Sequence, residues 1–177
     1  MVNDELYQII HKAKGGNQEA FTELVQRYKG QVYRFAVGML SNRMDAEDVA
    51  QEAFVKAFYS LSRLENEYAF SSWMITIVSN LCKDRLKKRA KEQVSSDEPD
   101  ERIADPGLSD PIEKLSVEES LGRLSVDHRE MILLHDVQGY HYEEIAAMVQ
   151  VPVGTVKSRL FSARMALRKE LAKEERE

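Results

Sequence analysis

The chain of 177 residues contains only one cysteine, one tryptophan and four prolines. The single cysteine, Cys82, excludes an internal disulfide, and no cysteine and histidine residues cluster at zinc-ligand spacing. Stretches that alternate apolar and polar residues between hairpin turns are also lacking. These absences argue against a disulfide-stabilised secreted scaffold, a zinc-dependent fold and a β-rich fold.

Long apolar runs are missing as well. None approaches the roughly 20 residues that a helix needs to cross a bilayer. The first residues, MVNDE, lack the basic and then apolar order of a signal peptide. We therefore expect a cytoplasmic protein without a membrane insertion of its own.

Motifs that would indicate an enzyme are also missing. The sequence has no Gly-rich phosphate loop and no nucleophile motif. His135, Asp136 and His141 lie close together, but Gly139 interrupts the helix between them and no further ligand follows at a regular spacing. We expect no catalytic residues, no metal site and no cofactor.

Charge is unevenly distributed along the chain, although its formal net value is −5. One basic block comprises Lys83, Arg85, Lys87, Lys88, Arg89 and Lys91, and a second comprises Lys157, Arg159, Arg164, Arg168 and Lys169. The segment between them contains Glu92, Asp97, Glu98, Asp100, Glu101, Asp105 and Asp110. Two basic patches joined by an acidic tether are compatible with a nucleic-acid partner, because phosphate contacts need local positive charge.

Apolar residues recur at helical spacing through most of the chain, which predicts an all-α fold. Within residues 1–91, helices are expected at 45–61 and 71–89, among others. Residues 92–111 are acidic and rich in serine and proline, which is typical of a flexible linker. Residues 112–177 form a second small helical domain. About 20 linker residues could span roughly 65 Å, so the two domains could contact separate sites.

The segment 139–160, GYHYEEIAAMVQVPVGTVKSRL, predicts a helix-turn-helix. Its apolar residues allow two short helices to pack against each other, with Val156 and Leu160 turned inward. Lys157, Ser158 and Arg159 then lie on or beside the exposed face of the second helix. An apolar back and a basic front suit a helix that enters the major groove of DNA.

Two polar helix faces have both a structural and a functional interpretation. On helix 45–61, Asp48, Gln51 and Glu52 lie opposite an apolar stripe; they predict either a solvated face or a docking surface for a basic partner. On helix 71–89 a polar ridge becomes basic toward its C-terminal end. This ridge contains Ser72, Thr76, Asn80, Lys83 and Lys87.

Together with Tyr68 and Phe70 in the preceding loop, the ridge has the side chains that a single DNA strand requires. A structural role is the alternative for part of this region. Trp73 is better explained as a core residue than as a base-stacking one, and the cations at 87–89 could interact with the helix dipole.

Three segments resemble signature sequences of bacterial RNA polymerase sigma factors of the extracytoplasmic-function (ECF) group. They are residues 45–58 (DAEDVAQEAFVKAF), residues 70–73 (FSSW) with Asn80, Asp84 and Arg85, and residues 151–160 (VPVGTVKSRL). Their order and the linker between them extend the resemblance over almost the whole chain. It implies the two sigma domains conventionally numbered two and four, without the domain between them.

The resemblance implies roles for the residues already singled out. Asp48, Gln51 and Glu52 match the surface that docks on the beta-prime clamp of core RNA polymerase. Tyr68, Phe70, Ser72, Thr76, Asn80, Lys83 and Lys87 match the region that melts the minus-ten promoter element and captures the non-template strand. The minus-thirty-five element would be read by Thr155, Lys157, Ser158, Arg159, Phe161, Ser162 and Arg164.

Further partners follow from the same resemblance. They are the beta flap of core polymerase, promoter DNA, and an anti-sigma factor, which in this group is often membrane-bound. Gln150 departs from the family at a position where a turn glycine is usual, and Phe161 and Ser162 replace a common basic or histidine pair. The base preference of relatives is therefore not carried over.

The alternative function is that of a self-sufficient helix-turn-helix regulator that binds DNA as a dimer. That interpretation needs a dimerisation surface to match two-fold half-sites, and the sequence has no sustained heptad pattern. We therefore favour a sigma factor that directs promoter-specific transcription initiation.

Overall fold

The computed structural model describes residues 2–95 and 111–174, and every regular element in these ranges is helical, as the sequence predicts. The helices are α1 (Asp4–Lys14), α2 (Gln18–Leu40), α3 (Arg43–Ser60), α4 (Phe70–Ser95), α5 (Pro111–Gly122), α6 (Val126–Ile132), α7 (Tyr142–Val149) and α8 (Val153–Glu174). Two short 3-10 turns, Leu61–Arg63 and Glu67–Ala69, connect α3 to α4, and a π-helical turn at Leu133–Val137 continues α6.

Asparagine side chains determine where the first three helices begin. The Oδ1 atoms of Asn3, Asn17 and Asn42 each accept a hydrogen bond of 2.9 Å from a backbone N–H in the first turn of α1, α2 and α3. These bonds satisfy amides that have no partner within the helix. Asn17 and Asn42 lie in the short connections between α1 and α2 and between α2 and α3.

Helix α2 is the centre of the N-terminal half and packs against α1, α3 and α4. Phe35, Met39, Val49, Met74 and Val78 are among the side chains that are completely buried or nearly so. The apolar stripe of α3 is buried as predicted, with the small residues Ala46, Ala53 and Ala57 fully inside. Small side chains allow α3 to approach its neighbours closely, and its polar face remains outside.

Helix α4 extends beyond the predicted boundary of the first domain. It continues to Ser95, so residues 92–95 of the predicted linker are helical. The last turns of α4 are exposed to solvent, where charged side chains are tolerated. Their composition therefore resembles that of the predicted linker. Residues 96–110, which hold most of the predicted linker, lie outside the described residues.

The C-terminal half packs directly against the N-terminal half. Arg129 of α6 is buried, and its guanidinium donates to the carbonyl oxygens of Leu121 (2.9 Å) and Gly122 (2.8 Å) at the end of α5. The same group also donates to the carbonyl oxygen of Met39 near the end of α2. Burial lowers the pKa of Arg129. One cation thus joins the C-terminal ends of two helices, where backbone carbonyls lack helical partners.

The turn between α7 and α8 contains a strained residue. Gln150 has φ 56° and ψ 50°, which is the left-handed conformation, and its backbone N–H donates to the carbonyl oxygen of Ala146. A residue with a Cβ atom pays a steric penalty in this conformation, whereas glycine does not. The departure from the usual turn glycine therefore weakens the helix-turn-helix slightly.

Replacing Gln150 with glycine should raise the free energy of unfolding by about 1 kcal/mol, because the left-handed strain disappears. Thermal denaturation followed by circular dichroism should show a rise in Tm of roughly 2–4 °C. The matched control is Gln26→Gly at an exposed position inside α2, which should lower stability by about 1 kcal/mol. A lower Tm for Gln150→Gly would show that the side chain stabilises the turn.

Candidate nucleic-acid interface

The exposed face of α3 contains the predicted docking residues. Asp48, Gln51 and Glu52 are all exposed, as expected for residues opposite the buried stripe. One carboxylate oxygen of Asp48 lies 3.9 Å from a guanidinium nitrogen of Arg85. The three side chains therefore remain accessible on one surface.

Apolar side chains that the sequence analysis did not select share this face of α3. Met44 is 78% exposed, Val55 is 56% exposed and Tyr59 is 76% exposed. Positions 44, 48, 51, 55 and 59 follow one another at steps of three or four, so their side chains form one continuous row. The spacing of these positions in the sequence could have identified the three apolar residues. The face combines acidic and amide groups with apolar contact area.

The polar ridge of α4 is partly accessible. Asn80 and Lys87 are exposed, whereas Ser72, Thr76 and Lys83 are half-buried. The Ser72 hydroxyl donates to the Ala69 carbonyl oxygen (3.1 Å), and the Thr76 hydroxyl donates to the Ser72 carbonyl oxygen (2.7 Å). Their oxygen atoms can still accept hydrogen bonds. The ridge therefore presents hydroxyl acceptors, one exposed amide and one exposed cation.

The two predicted aromatic residues of the loop have different positions. Tyr68 is 58% exposed, and its ring centroid lies 5.1 Å from that of Tyr7 in α1. Phe70 is only 1% exposed and packs edge-on against Tyr28, with the centroids 5.0 Å apart. The structure contradicts the expectation that Phe70 contacts DNA. Phe70 is the first residue of α4, and its ring lies in the core because burial of a large apolar ring is favourable. Tyr7 is an aromatic neighbour of the loop that sequence spacing could not reveal.

Trp73 is half-buried, with its ring centroid 5.7 Å from that of Phe70. It borders a cavity of about 580 Å³ that lies between the α4 ridge and α7. The residues around the cavity include Tyr68, Ser72 and Thr76 from one side, and Glu144, Ala147 and Met148 from the other. The two halves of the chain thus meet beside the ridge.

The basic block at residues 83–91 does not form one uniform surface. Arg85 donates to the carboxylate of Asp45 (3.0 Å), and Arg89 pairs with the same buried side chain. Lys83 lies 3.0 Å from a carboxylate oxygen of Glu130. Lys87, Lys88 and Lys91 are exposed. Part of the block therefore stabilises the fold, and the exposed lysines remain available to phosphates.

Helix α8 is the second helix of the helix-turn-helix. Val156, Leu160 and Ala163 are buried against the rest of the C-terminal half. The predicted reading residues on the outside are Lys157, Ser158, Phe161, Ser162 and Arg164, all exposed, with Thr155 and Arg159 half-buried. Phe161 is 69% exposed, so its ring lies on this outer surface.

Two cations of this surface are oriented by neighbouring side chains. Arg164 donates two hydrogen bonds to the carboxylate of Asp136, from Nε (3.0 Å) and Nη2 (2.5 Å). The bonds to Asp136 raise the pKa of Arg164. The ammonium of Lys157 lies 5.8 Å from the ring centroid of Tyr142 in α7. Both contacts limit the conformational freedom of these side chains.

The described ranges contain no group of three histidine, cysteine, aspartate or glutamate side chains that could hold a metal ion. His135 uses its Nδ1 atom in a hydrogen bond with the carbonyl oxygen of Tyr140 (2.9 Å), which ties the π-helical turn to the connection that precedes α7. None of the helices in the described part of the chain is long and apolar enough to cross a membrane.

Two segments match protein-family models. Residues 24–92 match sigma-70 region 2, and residues 114–167 match sigma-70 region 4. The first match covers α3 and the α4 ridge, and the second covers the helix-turn-helix.

Relatives extend the similarity to nearly the whole chain. The RNA polymerase sigma-H factor of Pseudomonas aeruginosa is 32% identical over 186 residues, which cover 97% of this chain and 96% of that protein. The ECF RNA polymerase sigma factor SigW of Bacillus subtilis is 32% identical over 181 residues, which cover 92% and 94% respectively.

A solved structure has the same fold. The sigma factor RpoE in complex with the anti-sigma factor NepR, from Bartonella quintana, matches with a TM-score of 0.76 at 28% sequence identity. The match covers 86% of this chain and 96% of that chain. The chain therefore belongs to the extracytoplasmic-function group of the sigma-70 family of RNA polymerase sigma factors.

Proposed function

We propose that this sigma factor contacts a promoter at two points, reading the minus-thirty-five element as duplex DNA and the minus-ten element as a melted strand. Residues 1–91 would serve the minus-ten element and polymerase docking, 92–111 would be the linker, and 112–177 would read the minus-thirty-five element. One observation carries the proposal. The two halves present different surfaces, a ridge with an exposed amide on α4 and a basic recognition helix, α8, in a helix-turn-helix.

Docking on core polymerase is assigned to the exposed face of α3. Asp48, Gln51 and Glu52 offer carboxylate and amide groups to a basic partner, and Val55 and Tyr59 add apolar area next to them. An interface of this kind combines a desolvated apolar centre with charges that select the partner. Since core polymerase carries the active site, no catalytic step is assigned to this chain, which would act in the cytoplasm.

Capture of the melted strand is assigned to the α4 ridge and the loop before it. Asn80 can recognise a base edge because an amide both donates and accepts, and the exposed ring of Tyr68 can stack on a base. Lys87, and Lys83 when it is not paired with Glu130, would bind phosphates. Phe70 supports this surface from the core rather than contacting the strand.

Reading of the minus-thirty-five element is assigned to the exposed side of α8. Lys157 and Arg159 supply positive charge, Ser158 and Ser162 can bond to phosphates or base edges, and Phe161 can contact a thymine methyl group. Arg164, held by Asp136, offers its remaining donors in a fixed orientation. An anti-sigma factor is a further proposed partner, because RpoE, which has the same fold, is bound to one.

The experiment that tests this function is transcription of a genomic DNA library by purified core polymerase with and without the chain. We expect transcripts that start at a defined set of promoters sharing two sequence elements, and only when both proteins are present. Tight and specific binding of duplex DNA by the chain alone, as a dimer on a palindrome, would instead support a self-sufficient regulator.

Replacing Asp48 and Gln51 together with alanine should weaken binding to core polymerase by roughly tenfold or more, because both groups lie in the proposed docking face. Binding can be measured by the fluorescence anisotropy of the labelled chain titrated with core enzyme. The matched control is Glu19→Ala with Gln26→Ala, which removes an exposed carboxylate and an exposed amide from α2. Equal affinities for the two double variants would remove Asp48 and Gln51 from the docking face.

Replacing Asn80 with alanine should impair promoter opening more than the first engagement of the minus-thirty-five element, because the amide would bind a base only after melting. Permanganate reactivity of unpaired thymines measures opening, and a mobility shift measures engagement. Gln93→Ala, which removes an exposed amide from the same helix, should leave both unchanged. An equal loss in both steps would mean that Asn80 has a structural role only.

A further inference from the structure

The connection between α3 and α4 is fixed to the fold at every third residue. Its buried side chains are Leu61, Leu64, Glu67 and Phe70, with exposed fractions between 1% and 8%. Tyr68 lies between the last two of them and is 58% exposed. The spacing agrees with the three residues per turn of the 3-10 turns in this connection. The buried side chains therefore fix the backbone from which the Tyr68 ring projects.

Glu67 differs from the other members of this series because it is charged. A carboxylate that is only 8% exposed needs hydrogen-bonding or ionic partners, whereas an apolar side chain at the same place would need none. Buried ion pairs are often no more stabilising than apolar residues of similar size, but their directional hydrogen bonds fix how two elements face each other. A glutamate at this position therefore points to precise placement of the connection.

The partners of Glu67 both come from α1, 56 and 53 positions earlier in the chain. Nδ1 of His11 donates to Oε1 of Glu67 (3.1 Å), and Nζ of Lys14 lies 3.5 Å from the same oxygen. The hydrogen bond from His11 is the main cause that lowers the pKa of Glu67, so the carboxylate is ionised at neutral pH. One oxygen atom thus joins α1 to the 3-10 turn that contains Tyr68.

Helix α1 also supports the exposed ring itself. The ring centroid of Tyr7, one helical turn before His11, lies 5.1 Å from that of Tyr68. The backbone N–H of Tyr68 donates to Oδ1 of Asn66 (3.0 Å), which fixes the turn from within. A ring that is already held in place loses little conformational freedom when a base stacks on it, so less of the stacking energy is spent on ordering.

We propose that Glu67 is a positioning residue for capture of the melted strand. Its contacts with His11 and Lys14 hold the connection so that the Tyr68 ring is already oriented for stacking when the strand arrives. The inference rests on the proposed assignment of Tyr68 to strand capture. It extends the capture site to α1, which lies outside the segment that matches sigma-70 region 2, residues 24–92.

The free chain tests the positioning step without DNA. Trp73 is the only tryptophan of the chain, and it borders the same cavity as Tyr68. Glu67→Ala should raise the acrylamide quenching of Trp73 fluorescence by about twofold or more, because the released connection uncovers the indole. Glu23→Ala, which removes an ion-paired carboxylate from α2, should leave the quenching unchanged. Unchanged quenching in the Glu67→Ala chain would overturn the proposal.

The functional step is measured with core polymerase on a promoter that the genomic transcription experiment identifies, by the permanganate reactivity of unpaired thymines. Tyr68→Ala should reduce opening by roughly tenfold, because a base loses its stacking partner. Glu67→Ala should reduce opening by about three- to tenfold, but should cause no further loss in a chain that already carries Tyr68→Ala. Binding to core polymerase should be the same for all of these variants.

Glu67→Gln is the conservative variant of the same position. Its amide oxygen can still accept the hydrogen bond from His11, although the ionic contact with Lys14 is lost. It should therefore retain more opening than Glu67→Ala. Equal losses for the two variants would show that the hydrogen bond from α1 does not position the ring.

A double-variant comparison separates this role from a general loss of stability. If Glu67→Ala lowers opening equally with and without Tyr68→Ala, Glu67 does not act through that ring and the inference fails. If Tyr68→Ala impairs opening and Glu67→Ala does not, the assignment of Tyr68 stands and only the inference is lost. If Tyr68→Ala has no effect on opening, the assignment of Tyr68 to strand capture is itself wrong.

The α1 side of the contact has a matched pair of variants. His11→Ala removes the donor to Glu67 and should reduce opening by about threefold. Lys12→Ala removes an exposed cation from the next position of the same helix and should leave opening unchanged. Equal opening with the two variants would exclude α1 from the capture site.

Discussion

The guanidinium of Arg129 is the interaction on which the arrangement of the two halves depends. A buried cation is costly unless oxygen acceptors surround it, and here the acceptors are carbonyl groups near the ends of α2 and α5. Both helix ends carry partial negative charge, which the cation offsets. Because α2 is the centre of the N-terminal half, this bond also sets where α6, and with it Glu130, lies relative to α4.

Asp45 has the corresponding role within the N-terminal half. Its buried carboxylate binds Arg85 and Arg89, so it fixes the start of α3 against the C-terminal part of α4. Loss of one partner of a buried ion pair typically costs about 3–5 kcal/mol. Arg85 and Arg89 are therefore structural residues. Replacing either of them would affect DNA binding only indirectly, by changing the position of α3 relative to α4. The basic block at residues 83–91 therefore has three kinds of residue. Arg85 and Arg89 stabilise the N-terminal half, Lys83 pairs with Glu130 of the C-terminal half, and the remaining lysines are exposed to solvent.

The three proposed surfaces are compatible with one chain because they use different sides of its helices. Helix α3 buries small residues and exposes the docking face, while α4 buries large apolar residues and exposes the ridge. Helix α8 packs through Val156 and Leu160 and exposes its basic face. The ridge differs from the other two surfaces, since it is shared between solvent and the C-terminal half.

Much of this organisation was determined by the sequence itself. Periodic apolar residues and asparagine caps act within one or two helical turns, so the helices, the helix-turn-helix and the exposed polar face of α3 could be predicted from neighbouring residues. The turn at Gln150 could be anticipated only through the family resemblance, which places this residue where a turn glycine is usual. The end of α4 was predicted less well, since a charged, exposed helical end resembles a linker in composition.

Only the tertiary structure decided which predicted site residues are available. Phe70 lies in the core because Tyr28, far away in the chain, covers it. Lys83 is engaged by Glu130, 47 positions away, and Arg129 reaches Met39 across 90 positions. No local pattern encodes such pairs, because they depend on how whole helices pack. The sequence determined the helices and their faces, and long-range packing determined which of those faces remain open to a partner.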